Sequence, residues 1–312
     1  MSSTKIEQEL IKLAPQRETL LTVGVFDGVH MGHRYLIEKL NQRAQVEDLI
    51  SGVITFNPHP QSVLHPHNQL PWLSGLEDKL RFLQELHIDL VAVLSFTPEL
   101  ASLSAREFVS LLKDYLKMRG LMIGPDFALG RGREGDITLL SALGQEMGFS
   151  VEVAPPFMID GELVSSTLIR QALAQGDMIK ITKLMGRNFY LAGKVISADK
   201  RGQSLGFPTA NLDMKPGQAL PSDGVYATIT WVNGEQLTSV TNIGMRPTFE
   251  RSKRTVETHL LNYKGDLYGK ELKVEFIQKL RDEQRFSSPK GLKAQIEKDI
   301  QETEAVLFRE LR

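Results

Sequence analysis

Two histidines flanking a glycine carry the strongest chemical signal in the sequence, in the run Gly24-Val25-Phe26-Asp27-Gly28-Val29-His30-Met31-Gly32-His33. The run follows a short apolar stretch and opens a helical pattern, so backbone N–H groups without intrahelical partners point outwards and form an anion site. Both imidazoles can donate hydrogen bonds to oxygens that gain charge during in-line displacement at phosphorus, and Gly32 lets a nucleotide approach the backbone. Two other uses of the pair remain open on local grounds. The histidines could cap or pack, or supply half of a zinc site, although no acidic ligand lies at local metal spacing.

Further polar groups sit where strands give way to turns or helices. Ser165-Ser166-Thr167-Leu168-Ile169-Arg170 begins a helix; its hydroxyls could be simple N-caps, while Arg170, one turn in, could neutralise a leaving pyrophosphate. Thr55-Phe56-Asn57-Pro58-His59-Pro60 is a rigid polar turn that could line the same pocket. Gly130-Arg131-Gly132-Arg133-Glu134-Gly135 matches the dinucleotide-binding spacing, with Glu152 downstream. It lies five residues beyond its strand, and that strand is the fourth, so a nicotinamide site is disfavoured.

In the second half the informative segment is Gly202-Gln203-Ser204-Leu205-Gly206-Phe207-Pro208-Thr209-Ala210-Asn211. In extended backbone Thr209 and Asn211 face one side, and their neutral oxygens suit Mg²⁺ when ATP supplies the negative charge. The glycines, with Lys200 or Arg201, could wrap phosphates; a plain Gly-rich hairpin is the alternative. Glu257 and His259 form another same-face pair, and Glu257 could accept a proton from an attacking hydroxyl if Thr209 and Asn211 lie nearby.

The elements that must position these groups alternate in the first half. Short runs rich in Val, Ile and Leu at 20–25, 50–55, 90–95, 121–124 and 150–154 read as strands buried on both faces. Between them lie the helical faces Leu36/Ile37/Leu40/Ala44 and Leu76/Leu80/Leu83, and a helix opened by the Ser104/Glu107 capping box. Such repetition predicts a parallel sheet covered by helices, with ligands at the strands' carboxyl ends. Near Gly186 the pattern becomes alternating and β-branched. Strands are expected at 224–231, 237–243, 255–261 and 272–278, as a small antiparallel barrel or sandwich. A helix starting at Ser288-Pro289 closes the chain, with a face of Leu292, Ile296, Ile300, Leu307 and Leu311.

Composition narrows the function classes. The 312 residues suit two domains, and 37 Lys+Arg against 38 Asp+Glu disfavour a protein that coats nucleic acid or anionic membrane. With no cysteine, disulfides, thiolate metal sites and thiol nucleophiles are excluded. No apolar run approaches the roughly 20 residues of a membrane span, and the first residues do not read as a signal peptide. A cytoplasmic protein acting on small molecules is expected, with no nucleic-acid or membrane partner; a homo-oligomer is compatible with this.

GVFDGVHMGH, TFNPHP, GPDFALGRGREGD and VSSTLIRQAL resemble the adenylyltransferase module of the prokaryotic bifunctional riboflavin kinase / FAD synthetase family. DKRGQSLGFPTANL, PSDGVY, TNIGMRPTF, RTVETHLL, GDLYGKEL and KLRDEQRF resemble its riboflavin kinase module, in matching order along nearly the whole chain. The resemblance implies a Rossmann-like nucleotidyltransferase domain over 1–185 and a small antiparallel barrel with a closing helix over 186–312. It implies two Mg²⁺-dependent steps: riboflavin and ATP give FMN, then FMN and a second ATP give FAD and pyrophosphate. Gly24, Phe26, Asp27, Gly28, His30, Gly32, His33, Ser166, Thr167 and Arg170 would form the adenylyltransferase ATP site, with His30, His33 and Arg170 catalytic. Asn57, Pro58, Asp126 and Phe127 would lie on its flavin side, where Leu129 replaces a usual second aromatic. In the kinase, Lys200, Gly202, Gly206, Thr209 and Asn211 would bind ATP, with Thr209 and Asn211 also on the metal. Glu257 would be the base, and Arg281, Glu283 and Phe286 would join it on the flavin side. Ala198 stands where a glycine is usual. Retention of one activity, an adenylyltransferase for another metabolite, and a non-catalytic flavin-binding regulator are the competing readings.

Overall fold

The computed structural model describes residues 4–67, 70–197, 206–246 and 253–310. The chain divides into two units, Met1–Ser166 and Thr167–Arg312. In the first, β1 (Thr19–Val23), β2 (Ile50–Asn57), β3 (Leu90–Ser95), β4 (Met118–Ile123) and β5 (Ser150–Val153) pair in parallel in the order β3-β2-β1-β4-β5, and β6 (Met158–Ile159) and β7 (Glu162–Leu163) form a separate antiparallel pair. Every residue of β1 is buried, which is why its sequence is a continuous apolar run broken only by threonines. Strand order reverses beside β1, so the carboxyl ends of β1 and β4 open a crevice at a topological switch point.

The first unit also holds α1 (Lys5–Ile11), α2 (Met31–Val46), α3 (Pro60–Leu64), α4 (Leu76–Gln84), α5 (Pro98–Ser102), α6 (Ala105–Leu116) and α7 (Ile137–Met147); α8 (Ser166–Gln175) and α9 (Met178–Met185) follow in the chain and open the second unit. Successive strand residues serve opposite cores: Leu21 and Leu121 pack with Val109 and Leu112 of α6, while Leu20 and Met122 pack with Leu40 and Ala44 of α2. The expected capping box starts α6, with Glu107 N–H donating to Ser104 Oγ at 3.2 Å and Ser104 N–H to Glu107 Oε2 at 2.7 Å. In α4 the inward face differs from expectation. Lys79, Phe82 and Leu83 are buried, because Lys79 has polar partners at the end of β2, whereas Leu76 and Leu80 are half-buried.

In the second unit β8 (Phe189–Ile196), β9 (Ala210–Asp213), β10 (Gly224–Val232), β11 (Glu235–Arg246), β12 (Lys253–Leu260) and β13 (Glu271–Arg281) close into an antiparallel barrel, ordered β10-β11-β12-β9-β8-β13. Closure decides between barrel and sandwich. Asn233 and Gly234, with φ of 51° and 87°, make the two-residue hairpin turn between β10 and β11. Tyr226 and Phe276 meet edge to face in the core, beside a fully buried cluster of Thr228, Thr230, Ser239, Thr241 and Thr258. The cluster is satisfied from within, for example Thr230 Oγ1 to Ser239 Oγ at 2.7 Å and Thr241 Oγ1 to Thr258 Oγ1 at 2.9 Å. α10 (Pro289–Glu310) covers Ala227 and Ile277 with Val306 and Leu307. Among its described residues the buried positions are Asp299, Thr303, Val306 and Leu307; Leu292, Ile296 and Ile300 are half-buried, and Leu311 lies outside the described residues. No helix among the described residues is long and apolar enough to cross a membrane.

Candidate active sites

The loop from β1 into α2 is wound tightly: Phe26, Gly28 and Val29 have φ of 51°, 80° and 37°. Left-handed backbone at Phe26 and at β-branched Val29 is strained, and surrounding bonds hold it. Asp27 accepts hydrogen bonds from the backbone N–H groups of Leu73 (2.9 Å) and Ser74 (3.1 Å), Gly28 N–H donates to Ser74 Oγ at 3.0 Å, and Ser166 Oγ donates to Asp27 O at 2.9 Å. His30 is buried and caps α2, its Nδ1 accepting from His33 N–H at 3.3 Å, which assigns the ring proton to Nε2. The His30 and His33 rings stack with centroids 3.6 Å apart. Gly32 sits in tight quarters, since an added Cβ would lie 3.0 Å from Val164 O. Among the described residues no group of three His, Cys, Asp or Glu could hold a metal, which leaves the two-His zinc alternative without a third ligand.

Beneath the loop Lys79 is buried, its ammonium 3.3 Å from Phe56 O. Burial holds it below the usual lysine value while the nearby Asp27 charge pulls the other way.

Two cavities open at the switch point. One of about 490 Å³ is lined by Gly24, Phe26, His30, Gly32, His33 and Ser166, with Tyr35 and Phe157 as an aromatic pair at 5.2 Å. The other, of about 650 Å³, is lined by Phe56, Phe96, Phe108, Phe127, Leu129 and His59. Asp126 and Phe127 border both cavities; Asn57 and Pro58 are exposed in the turn whose neighbours Phe56, His59 and Pro60 line the larger one. Thr167 and Arg170 follow Ser166 on α8, exposed and half-buried respectively. The dinucleotide-like segment is a 3₁₀ turn at Arg131–Arg133 on the wall of the larger cavity, and Glu152 pairs with Arg43. Both facts remove its nicotinamide reading.

On the barrel, Glu257 stands opposite Asn211 on one neighbouring strand and opposite Asn242 on the other; the register brings Asn211 beside it but does not itself bring Thr209. Thr209 and Asn211 line a cavity of about 240 Å³ with Tyr263, Asp266 and Tyr268. Gly206 is exposed, with φ 90°, while Ala198, Lys200, Arg201 and Gly202 lie outside the described residues. Arg281 is held by Asp299 through paired bonds of 2.9 and 2.7 Å and lies 5.8 Å from the Phe286 ring. The Glu283 carboxylate rests on Gly244, where any Cβ would collide with it.

Sequence reasoning left out Tyr35, Phe157, Phe96, Asn242, Tyr263 and Tyr268. Aromatics at the ends of strands and helices were the available signal, but a core position shows the same residue types.

The fold is that of a two-part protein: an α/β unit with His-x-Gly-His at the switch point of a parallel sheet, and a closed barrel carrying Thr209, Asn211 and Glu257. Comparison with known proteins agrees. The FAD synthetase family model matches residues 12–168 and the riboflavin kinase family model residues 185–307. Curated bifunctional riboflavin kinase/FMN adenylyltransferases are similar along nearly the whole chain. The protein from Escherichia coli K12 is 40% identical over 288 residues, covering 92% of each chain. That from Listeria monocytogenes is 34% identical, covering 92% of this chain and 91% of its own. A crystal structure described as a macrolide-efflux protein from Streptococcus pneumoniae shares the fold with a TM-score of 0.87 at 26% identity, covering 96% of this chain and 97% of its own. The chain belongs to the bifunctional riboflavin kinase/FMN adenylyltransferase family.

Proposed function

We propose that the chain makes FAD from riboflavin in two ATP-dependent steps, with residues 186–312 phosphorylating riboflavin and residues 1–185 transferring AMP to the resulting FMN. The reading is supported by a chain whose two halves match the two family models and which carries in one half His30 stacked on His33 and in the other Glu257 in register with Asn211.

In the kinase step Glu257 takes the proton of the ribityl 5′-hydroxyl as its oxygen attacks the γ-phosphorus, and ADP leaves. Thr209 and Asn211 would hold Mg²⁺; hard neutral oxygens on a cavity rim fit a cation that also binds phosphate, and the ion supplies charge neutralisation there. Lys200, Gly202 and Gly206 complete the ATP side, with Arg281, Glu283 and Phe286 on the flavin side. In the adenylylation step a phosphate oxygen of FMN attacks the α-phosphorus and pyrophosphate departs. His30 and His33 stabilise the charge that develops on the transferring group, and Ser166, Thr167 and Arg170 attend the triphosphate. Gly24, Phe26, Gly28 and Gly32 shape the backbone around it, and Asp27 acts by fixing the loop. Asn57, Pro58, Asp126 and Phe127 belong to the flavin side. The reading includes a cytoplasmic location, in keeping with a chain that has no cysteine.

Purified protein incubated with riboflavin, ATP and Mg²⁺ should form FMN and then FAD, followed by chromatography of the flavins. Glu257→Gln should stop FMN formation and leave FMN-to-FAD conversion intact, and His33→Ala should do the reverse. Loss of both activities in either variant would contradict two separate sites.

A further inference from the structure

The two cavities at the switch point of the parallel sheet differ in character. The smaller carries His30 and His33; the larger is walled by Phe56, Phe96, Phe108 and Phe127. With ATP in the first, beside the His30 and His33 that the proposed function gives it, and the flavin ring in the second, beside Phe127, the flavin phosphate meets the ATP α-phosphate at their common border. That border is formed by Val23, Gly24, Asp126, Phe127 and Arg133. Two phosphate groups brought together there repel each other, and Asp126 adds a further negative charge. Among the described residues lining either cavity, Arg133 is the one Arg or Lys.

We infer that Arg133 is a catalytic residue of adenylylation, binding the 5′-phosphate of FMN at this border and presenting it to the α-phosphorus of ATP. The inference rests on the two-site reading above. Its backbone is built for a fixed position: Arg133 has φ 63° after Gly132, also at 63°, and its N–H donates to Gly130 O at 3.0 Å. Non-glycine residues in this conformation are uncommon and are held by their surroundings. Arg131 N–H anchors the same turn to Leu103 O at 2.7 Å. The side chain is oriented by one bond, Nη2 to the Asp126 carbonyl at 3.0 Å, and among the described residues no carboxylate pairs with it. The rest of the planar fork can take two phosphate oxygens, which a point-charge ammonium cannot match in geometry. In the step itself the P–O bond from FMN to the α-phosphorus forms as the α–β bridge breaks, and its electron pair leaves with pyrophosphate. Arg133 transfers no proton; it offsets the repulsion between the two reacting anions.

Steady-state adenylylation with preformed FMN tests this in wild type, Arg133→Gln and Arg133→Lys, with the melting temperature and riboflavin phosphorylation recorded in parallel. We expect Arg133→Gln to raise the KM for FMN about 10- to 100-fold, the loss of one charge-assisted phosphate contact. The KM for ATP should stay within about threefold, Arg133→Lys should fall between, and phosphorylation should be unchanged. An unchanged KM for FMN, or equal rises for FMN and ATP, would overturn the role of Arg133. Failure of the wild type to convert FMN to FAD would instead overturn the two-site reading.

Discussion

Lys79 shows what burial does to a single charged group. Its folded-state pKa lies below the ordinary value of 10.5 because desolvation outweighs the attraction of Asp27. Between those two values the unfolded chain holds a proton that the folded chain has released, so unfolding takes up a proton and stability rises with pH across that window. Lys79→Met has no such proton. Urea titrations from neutral to alkaline pH should therefore show wild type gaining stability relative to Lys79→Met as pH approaches 10.5; a constant difference would contradict the shift. The apolar periodicity of α4 implied an inward leucine and could not reveal this lysine. A long polar side chain becomes an inside residue only when a distant strand offers it a carbonyl, here Phe56 O. His30 was legible from its motif, yet its role as the cap of α2, which assigns its proton, came from the fold.

At the level of elements, an ion pair ties α10 to β13. Arg281 and Asp299 are 17% and 3% exposed, so Asp299→Ala leaves a largely buried guanidinium without its anion. Thermal and urea unfolding should show a loss of about 3 kcal/mol or more. The same variant should slow phosphorylation, because Arg281 leads directly into the segment that carries Glu283 and Phe286, while FMN adenylylation should persist. Gly244 supplies a gentler probe. Gly244→Ala should displace the Glu283 carboxylate with little loss of stability, since the obstructing group is the end of a flexible side chain. Phosphorylation kinetics beside a melting curve would check it: a large drop in melting temperature with normal kinetics would be the wrong outcome. The helix start at Ser288-Pro289 was readable from capping chemistry, whereas its buried stripe was readable only at Leu307. Asp299 and Thr303 are inside because Arg281 and a backbone carbonyl satisfy them, and a hydrophobicity pattern has no way to register that.

For the molecule as a whole, the proposed sites are chemically independent, and FMN is product of one and substrate of the other. Neither Glu257→Gln nor His33→Ala alone should make FAD from riboflavin. An equimolar mixture of the two should do so, because the FMN made by His33→Ala can diffuse to Glu257→Gln. No FAD from the mixture, with each single activity present, would show that FMN made at one site is not released to the other.

By itself the sequence determined what local chemistry can dictate. Continuous apolar runs required a parallel sheet, which is buried throughout at β1 but only in part at its edge strands β3 and β5; alternation required strands with one face inward, and Ser104 with Glu107 required a helix start. His30-x-Gly32-His33 marked a turn into a helix start, where His30 is the cap. Tertiary structure decided which side chains meet. Strand closure turned a barrel-or-sandwich pattern into a barrel, and placed Glu257 opposite Asn211. Folding the Gly130–Gly135 segment onto the wall of a cavity, rather than directly after a strand, turned a false nucleotide fingerprint into the setting for Arg133. The physical reason is common to all of these. Backbone propensity and hydrophobic period act over a few residues, whereas the cost of burying a polar group depends on partners supplied from distant parts of the chain.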